Sequence, residues 1–465
     1  MLFKKFTSTF CEFQILRDTD LCINCKICIG QCPYAAYFWD KARKKVAHDN
    51  RKCIGCYRCV AMCPTVALTV KKSDLCFRDN GSWKPDFMKN IYHQAQTVSA
   101  FSHMHNSDNQ LVYWDQLLLD GNAAVDSACR SIDLNTHLGA KPGLGSDCET
   151  NSTASIEINI PLVFADIPFG IINSNVKTAI SVSAEELGTI CFVDSGNHLK
   201  NIGKYSQLDF VQNGPDLYNE YCYSFSKGAG VVIDLTGFAG SIGLNHNIDF
   251  VEDLSKFIGK VKQSSEKKVL IAVKIAAGHG VADVASGIVS AGADVLILEG
   301  VHYGASSSPA MPGKEMGLPM EIALSCVDQR LRDDDMRSRV SIVAGGYIRC
   351  SRDVVKAIAL GADAVSIDVA ALIAVGCTLC GSCHTGKCAW GISTNDKKLV
   401  KRQNPEIAAE QLVNFMRNWS LEITDMLCCM GLDSIESLCG NRSVLRAIRL
   451  SEIEMDVLGI KHAGR

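Results

Sequence analysis

Residues 269–298 read VLIAVKIAAGHGVADVASGIVSAGADVLIL, and this stretch decides the fold. The run Leu270-Ile271-Ala272-Val273 shows no polar alternation, so it suits a strand covered on both faces, as in a parallel sheet. Residues 281–291 then carry apolar positions at helical spacing and stop at Gly292, a residue that ends helices readily. A second apolar run follows at 294–298. Strand, helix and strand in immediate succession make one parallel unit.

The same alternation extends in both directions. Further strands are expected over 162–167, 189–194, 208–211, 231–235, 340–344 and 364–367, and a helix over 352–360 closed by Gly361. Eight strand–helix units predict an α/β fold of the (β/α)8 barrel class over 158–390, with a doubly wound sheet as runner-up. The tail over 391–465 is expected to be a helical C-terminal segment, its strongest helix covering 405–430. Residues 76–157 are polar and irregular apart from apolar patches at 111–119 and around Leu138. They are expected to wrap the barrel as a connector.

Ahead of the barrel, over 1–75, stands a doubled run: Cys22-x2-Cys25-x2-Cys28-x3-Cys32-Pro33 and Cys53-x2-Cys56-x2-Cys59-x3-Cys63-Pro64. Tight triplets let one loop supply three thiolates to a cluster while the fourth cysteine reaches across to the other. This predicts a ferredoxin-like domain with two 4Fe–4S clusters. Cys22, Cys25, Cys28 and Cys63 are expected around one, and Cys53, Cys56, Cys59 and Cys32 around the second. Zinc or disulfides are the minor alternatives, since neither explains two four-thiolate runs ending in proline.

Composition agrees with a cluster-bearing protein. The chain has 465 residues, 47% of them hydrophobic and 21% charged, with a formal charge of −3 and 23 cysteines. No signal-like apolar run follows Met1, so a reducing cytoplasm is expected. The most apolar long stretch, 357–376, contains Asp363 and Asp368, so no membrane span is expected. Residues 1–75 carry 13 Lys or Arg against 6 Asp or Glu. Two anionic clusters would offset much of that charge, which argues against nucleic-acid binding.

Barrel chemistry belongs at the C-terminal strand ends, with phosphate held after strands seven and eight. Strand seven ends in Ala344-Gly345-Gly346, whose bare amides could approach an anion. Strand eight runs through Ser366-Ile367-Asp368-Val369-Ala370 into a helix. Beyond it lies Gly376-Cys377-x2-Cys380-x2-Cys383-His384-Thr385-Gly386-x-Cys388.

The segment from Val343-Ala344-Gly345-Gly346 through Arg352-Asp353-Val354-Val355-Lys356-Ala357 and Ala370-Ala371-Leu372-Ile373-Ala374 to Cys377-x5-Cys383-His384-Thr385-x2-Cys388 is similar to the FMN and iron–sulfur domain of glutamate synthase. With the cysteine-rich module in front, the chain resembles the short, archaeal-type form of that family. The resemblance implies a 3Fe–4S cluster on Cys377, Cys383 and Cys388. Cys380 is an addition that could supply the ligand a 4Fe–4S cube needs, and the cube is the reading preferred here. It also implies FMN in the barrel mouth, its phosphate on Gly345, Gly346 and the backbone of Ile367, Asp368, Val369 and Ala370. The ring would lie near Pro168, Phe169 and Gly170, with Lys274 beside flavin and substrate. An ion pair of purely structural purpose is the plainer role for Lys274. His384 would tune the cluster surroundings.

Several family features are altered. The family's Gly-Glu-Gly-Gly becomes Gly196-Asn197-His198-Leu199, its Gln-Gly-Ala-Lys-Pro-Gly becomes Thr236-Gly237-Phe238-Ala239-Gly240-Ser241, and some tens of residues are missing before Asn245. His302 and Tyr303 enter a changed loop, where they could serve as an acid–base pair. Asp368 beside a phosphate would be repulsive if it faced the site. Two functions are therefore expected. In the first, the chain relays electrons between three clusters and FMN as a subunit among NAD(P)H-, formate-, hydrogen- or ferredoxin-linked partners, in a hetero-oligomer. In the alternative, a ferredoxin-dependent enzyme reduces a 2-oxoglutarate-derived imine at FMN with ammonia from a separate subunit.

Overall fold

The computed structural model describes residues 13–72, 112–121, 131–139, 154–165, 172–194, 209–213, 230–235, 248–264, 269–300, 317–346, 348–380 and 383–465. Strand β1 (Phe13–Arg17) pairs antiparallel with β4 (Leu68–Lys72), and β2 (Tyr37–Asp40) pairs with β3 (Lys45–His48). Phe13, Ile15, Tyr37, Val46, Leu68 and Val70 fill the small core between these ribbons. The duplicated sequence folds as a duplicated backbone. Asn24 and Gly55, Lys26 and Tyr57, and Ala35 and Val66 occupy matching places in the two runs, and all six have positive φ. Each left-handed step turns the loop back on itself so that successive cysteines face one point. At Gly55 a side chain is excluded, because a Cβ would fall 2.4 Å from the Phe13 ring. Its counterpart Asn24 has room and uses its side chain to accept the Val46 N–H at 3.0 Å.

Three short strands precede the barrel: β5 (Leu117–Leu119), β6 (Thr136–Gly139) and β7 (Ser155–Ile158). The barrel strands are β8 (Leu162–Phe164), β9 (Cys191–Asp194), β10 (Asp209–Asn213), β11 (Gly230–Asp234), β12 (Leu270–Ala276), β13 (Val295–Glu299), β14 (Ser341–Gly345) and β15 (Ala364–Ile367). All are parallel, and β15 returns to β8 to close the barrel, which excludes the open doubly wound sheet. The period-2 pleat sorts the side chains. Leu270, Ala272, Val295, Ile297, Val343 and Ala364 point inward, while Ile271, Val273, Leu296, Leu298, Ile342 and Val365 meet the surrounding helices.

The antiparallel β6–β7 ribbon floors the barrel. Leu138 and Ile158 join the inner cluster, Gly139 N–H donates to Ser341 Oγ at 3.0 Å, and that hydroxyl donates to His137 O at 3.2 Å. Gly139, at φ +95, admits Leu270 from below, where a Cβ would lie 2.7 Å from its Cδ2.

The helix Pro405–Met430 starts where Asn404 accepts the Glu406 N–H at 2.8 Å and proline occupies the first turn, and it ends at left-handed Gly431. It packs on Ser174–Leu187, with Ser183 Oγ donating to Ala409 O. Strand β16 (Leu445–Ala447) pairs with β5 and with β17 (Lys461–His462), so the C-terminal segment also holds the residues that lead to the barrel.

Glu321 is buried beneath that segment and accepts the Trp114 N–H at 2.8 Å. Burial pushes its carboxyl from 4.5 up to about 7. A raised folded-state value means the folded protein is unburdened below the unfolded value and loses stability as pH rises from 4.5 to about 7. Glu321→Gln keeps the acceptor and removes the titration. Its stability advantage over the parent is expected to grow across that window to about 3 kcal/mol. Urea denaturation of both proteins at several pH values checks this, and a pH-independent difference would refute it.

Candidate functional site

Two hollows, each about 340 Å³ including its open side, lie on the N-terminal module. Cys22, Cys25, Cys28 and Cys63 line one, and Cys32, Cys53, Cys56 and Cys59 line the other. Each run thus contributes its tight triplet to one hollow and its last cysteine to the other. Apolar neighbours make the sites costly for free thiolates: burial pushes Cys28 up to about 11 and Cys56 up to about 12. A cationic iron centre would displace those protons and repay the burial.

The prolines act through the backbone that follows them. Burial acts to raise Cys63, yet the Thr65, Ala67 and Leu68 amides and the Thr65 hydroxyl outweigh it and hold its thiol below the usual value. Ala36 N–H reaches Cys32 Sγ at 3.4 Å in the other copy. Tyr37 donates its hydroxyl to Cys59 Sγ at 3.0 Å, a buried contact that the spacing of the motif did not announce.

The third constellation sits directly behind β15 and the helix Val369–Ala374. Cys377 N–H donates to Leu372 O at 2.9 Å, which fixes the loop to that helix. Burial raises the Cys377 thiol well above its ordinary value, reinforced by Cys380, Cys383 and Cys388. The structure therefore brings the additional Cys380 together with the other three. The second hollow of the module faces this set. Trp390 donates its indole N–H to Cys56 O at 2.6 Å, and the Arg58 guanidinium lies 5.2 Å from its ring centroid. Arg402 donates to Ala389 O at 2.7 Å and to Gly30 O at 3.2 Å, and Tyr34 meets Thr385 at 3.3 Å. Cys380 is close enough to Cys56 to add to the rise that burial imposes on the Cys56 thiol.

At the barrel mouth, Lys274 and Glu299 continue the inward faces of β12 and β13. Lys274 Nζ lies 3.6 Å from Glu299 Oε1, and both are buried. Asp234 is the cross-strand neighbour of Lys274 and shares its inward parity. Gly345 lies under Glu299, whose carboxylate would be 2.9 Å from any Cβ there. Beside Gly345 in register is Ser366, whose buried Oγ has no hydrogen-bond partner. Ile367, Val369 and Ala370 turn their side chains into the outer core, which leaves only backbone facing the mouth. Asp368 is buried and folds its carboxylate back onto the Val369 N–H at 2.5 Å.

An unsatisfied hydroxyl, a buried ammonium and paired glycines at the strand ends fit a polar planar ligand such as flavin. One element opposes its phosphate: Asp368 already places an anion on the first helical amide. Pro168, Phe169, Gly170, His302 and Tyr303 lie outside the described residues, as do the altered loops and the side chain of His384. Asp234 and Glu299 escaped the reading of the sequence, and Ser366 entered it only as part of the strand-eight run, without a role. Their only signal is a polar residue ending an apolar strand with the parity of the barrel interior.

Two family models match the chain: a 4Fe–4S dicluster domain over residues 14–65 and a conserved region in glutamate synthase over 240–433. An archaeal-type glutamate synthase (NADPH) of Dehalococcoides mccartyi is 38% identical over 97% of this chain and 98% of its own length. The chain belongs to the archaeal-type glutamate synthase family. The archaeal glutamate synthase (NADPH) of Archaeoglobus fulgidus is likewise 38% identical, covering 97% of each chain. As a member of this family the protein is an iron–sulfur oxidoreductase. Among the described residues, no helix is long and apolar enough to cross a membrane.

Proposed function

We propose that this chain carries electrons from a partner redox subunit, through the N-terminal module and the third cysteine set, to the mouth of the barrel. The observation that carries the reading is the junction at Trp390, where the second hollow and the third constellation face each other. Cys22, Cys25, Cys28 and Cys63 would hold one 4Fe–4S cluster, and Cys32, Cys53, Cys56 and Cys59 a second. Cys377, Cys380, Cys383 and Cys388 would hold a third as a cube, with a 3Fe–4S cluster on Cys377, Cys383 and Cys388 as the alternative. Such clusters supply single-electron transfer, and FMN would supply the step between one- and two-electron chemistry.

The protein's own part is electrostatic. Lys274, held by Glu299, places an ammonium donor at the mouth, where it would favour a ligand atom gaining negative charge. Gly345, Gly346 and the backbone at 367–370 would receive a phosphate, with Pro168, Phe169 and Gly170 alongside. Both relatives above are named for NADPH, which supports an NADPH-oxidising partner and a hetero-oligomer.

A second reading rests on the same mouth. Full-length similarity to proteins named glutamate synthase, together with a buried Lys274–Glu299 pair, supports reduction of a 2-oxoglutarate-derived imine, with His302 and Tyr303 as acid–base candidates. Anaerobic mixing of the reduced chain with 2-oxoglutarate and ammonia separates the two. Prompt reoxidation with glutamate formed establishes the second reading, whereas reoxidation only by a partner redox protein supports the relay alone. Failure to bind iron would overturn both.

The phosphate end provides a sharper check. Asp368→Gly removes the competing carboxylate and frees the Val369 amide, so FMN should bind about tenfold more tightly in equilibrium dialysis. Unchanged or weaker binding would mean that the phosphate does not rest there.

A further inference from the structure

The duplicated module contains its own control. Its two halves share one backbone plan, but the barrel-side contacts described above gather at the second hollow, and among the described residues none of them reaches the lining of the first. Ile54 is half-buried, while its counterpart Ile23 is 66% exposed. Cys56 is capped by Trp390, while its counterpart Cys25 is exposed. Arg58 stacks on Trp390, and in its place the first half offers exposed Ile27. Leu21 and Val66, the latter 74% exposed, adjoin in sequence the lining residues Cys22 and Thr65 of the first hollow and extend its apolar edge. Among the described residues a protein surface meets the second hollow and not the first.

Charge indicates what covers it. Lys26 lines the hollow and lies 4.1 Å from the Trp39 ring centroid, and Trp39 pairs with Val46, another lining residue. The β2–β3 turn beside them exposes Lys41, Arg43 and Lys44. Three carboxylates lie nearby: Asp18, which accepts the Asp20 and Leu21 amides, exposed Asp20, and Asp40, which accepts the Ala42 and Arg43 amides and lies 3.8 Å from Arg43; Arg17, Lys26, Lys41, Arg43 and Lys44 outnumber them.

We propose that this rim, formed by Leu21, Ile23, Ile27 and Val66 beside the basic 41–44 turn, is the docking face for a small acidic electron-carrier protein. The inference rests on the relay reading above. An apolar centre excludes water at the point of closest approach, and the flanking cations steer an acidic partner to it. In the transfer, one electron leaves the reduced carrier and enters this chain, and no bond is made or broken.

The test uses the full-length, iron-loaded chain and an acidic 2Fe–2S ferredoxin as probe. Calorimetric titration should show binding that weakens steeply with added salt. The pair Lys41→Glu and Lys44→Glu should weaken it at least about tenfold and flatten the salt dependence. Leu21→Ser should weaken it without altering the salt slope. Iron content and reduction by dithionite should stay at parental values in both variants. Unchanged ferredoxin affinity in the charge-reversed chain overturns the proposal. So does charge-dependent cosedimentation with phosphatidylserine vesicles in the absence of ferredoxin binding, which would assign the face to a lipid surface. Salt-dependent ferredoxin binding by a chain that dithionite cannot reduce would defeat the relay reading and leave the docking face standing.

Discussion

Replacing Cys56 with alanine is expected to remove about four of about twelve irons per chain and to disconnect the N-terminal module from the barrel. Cys56 lines the second hollow with Cys32, Cys53 and Cys59, and its own carbonyl accepts the Trp390 indole. Three thiolates leave one corner of a cube without a ligand, so the centre should be lost or degraded on isolation. The first hollow uses a separate set of cysteines and should keep its iron. Cys429→Ala is the matched control, since this exposed cysteine on the helix Pro405–Met430 belongs to none of the three sets. Iron and acid-labile sulfide analysis with EPR of the reduced protein reads the result directly. Parental iron content in the Cys56 variant would contradict the assignment.

Asp328→Ala is expected to destabilise the fold by about 3–5 kcal/mol, the cost of leaving buried charge uncompensated. Its carboxylate is completely buried and accepts from Arg337 at 2.8 Å, Arg332 at 2.8 Å and Arg442 at 3.0 Å. Arg337 is itself buried and shares its charge with Asp363 at 2.8 Å. Arg442 comes from the C-terminal segment, so the loss should also loosen that segment from the helix Met320–Asp333. A cavity where the carboxylate stood adds to the cost, because Gly361 packs directly on it. Thermal and urea denaturation should both register the change. A shift no larger than that of a surface substitution would show that Arg332 and Arg442 find solvent without penalty.

The barrel was legible because buried parallel strands leave unbroken apolar runs, and these can be seen without knowing their neighbours. Residues 364–367 and 405–430 were read with the bounds the structure has, and the other strands shift by one to three residues at their ends. The cysteine runs were equally plain, because ligand spacing within one loop is local. What stayed hidden depends on contacts distant in sequence. Trp390 meets Cys56 across 334 residues, and nothing in the local pattern of either marks the other. Leu138 stood out only as an apolar patch in a polar connector, and its place in the barrel floor requires Ser341 and Leu270. Asp368 posed a question of orientation that only the Val369 contact answers.

The pairing of Phe13 with Lys72 has a consequence for how such a chain could have been assembled. Chain enters and leaves the cysteine-rich module on adjacent strands of one ribbon, so the unit closes on itself before the polypeptide goes on. A unit with neighbouring ends can be joined to a foreign chain, or lost from one, without cutting either iron-binding loop. Among the described residues it meets the host through a few contacts, such as Arg58 on Trp390, Tyr34 with Thr385, and the Cys56 and Gly30 carbonyls. The module is in this sense a plug-in cartridge, and the face around Trp390 is the socket that receives it.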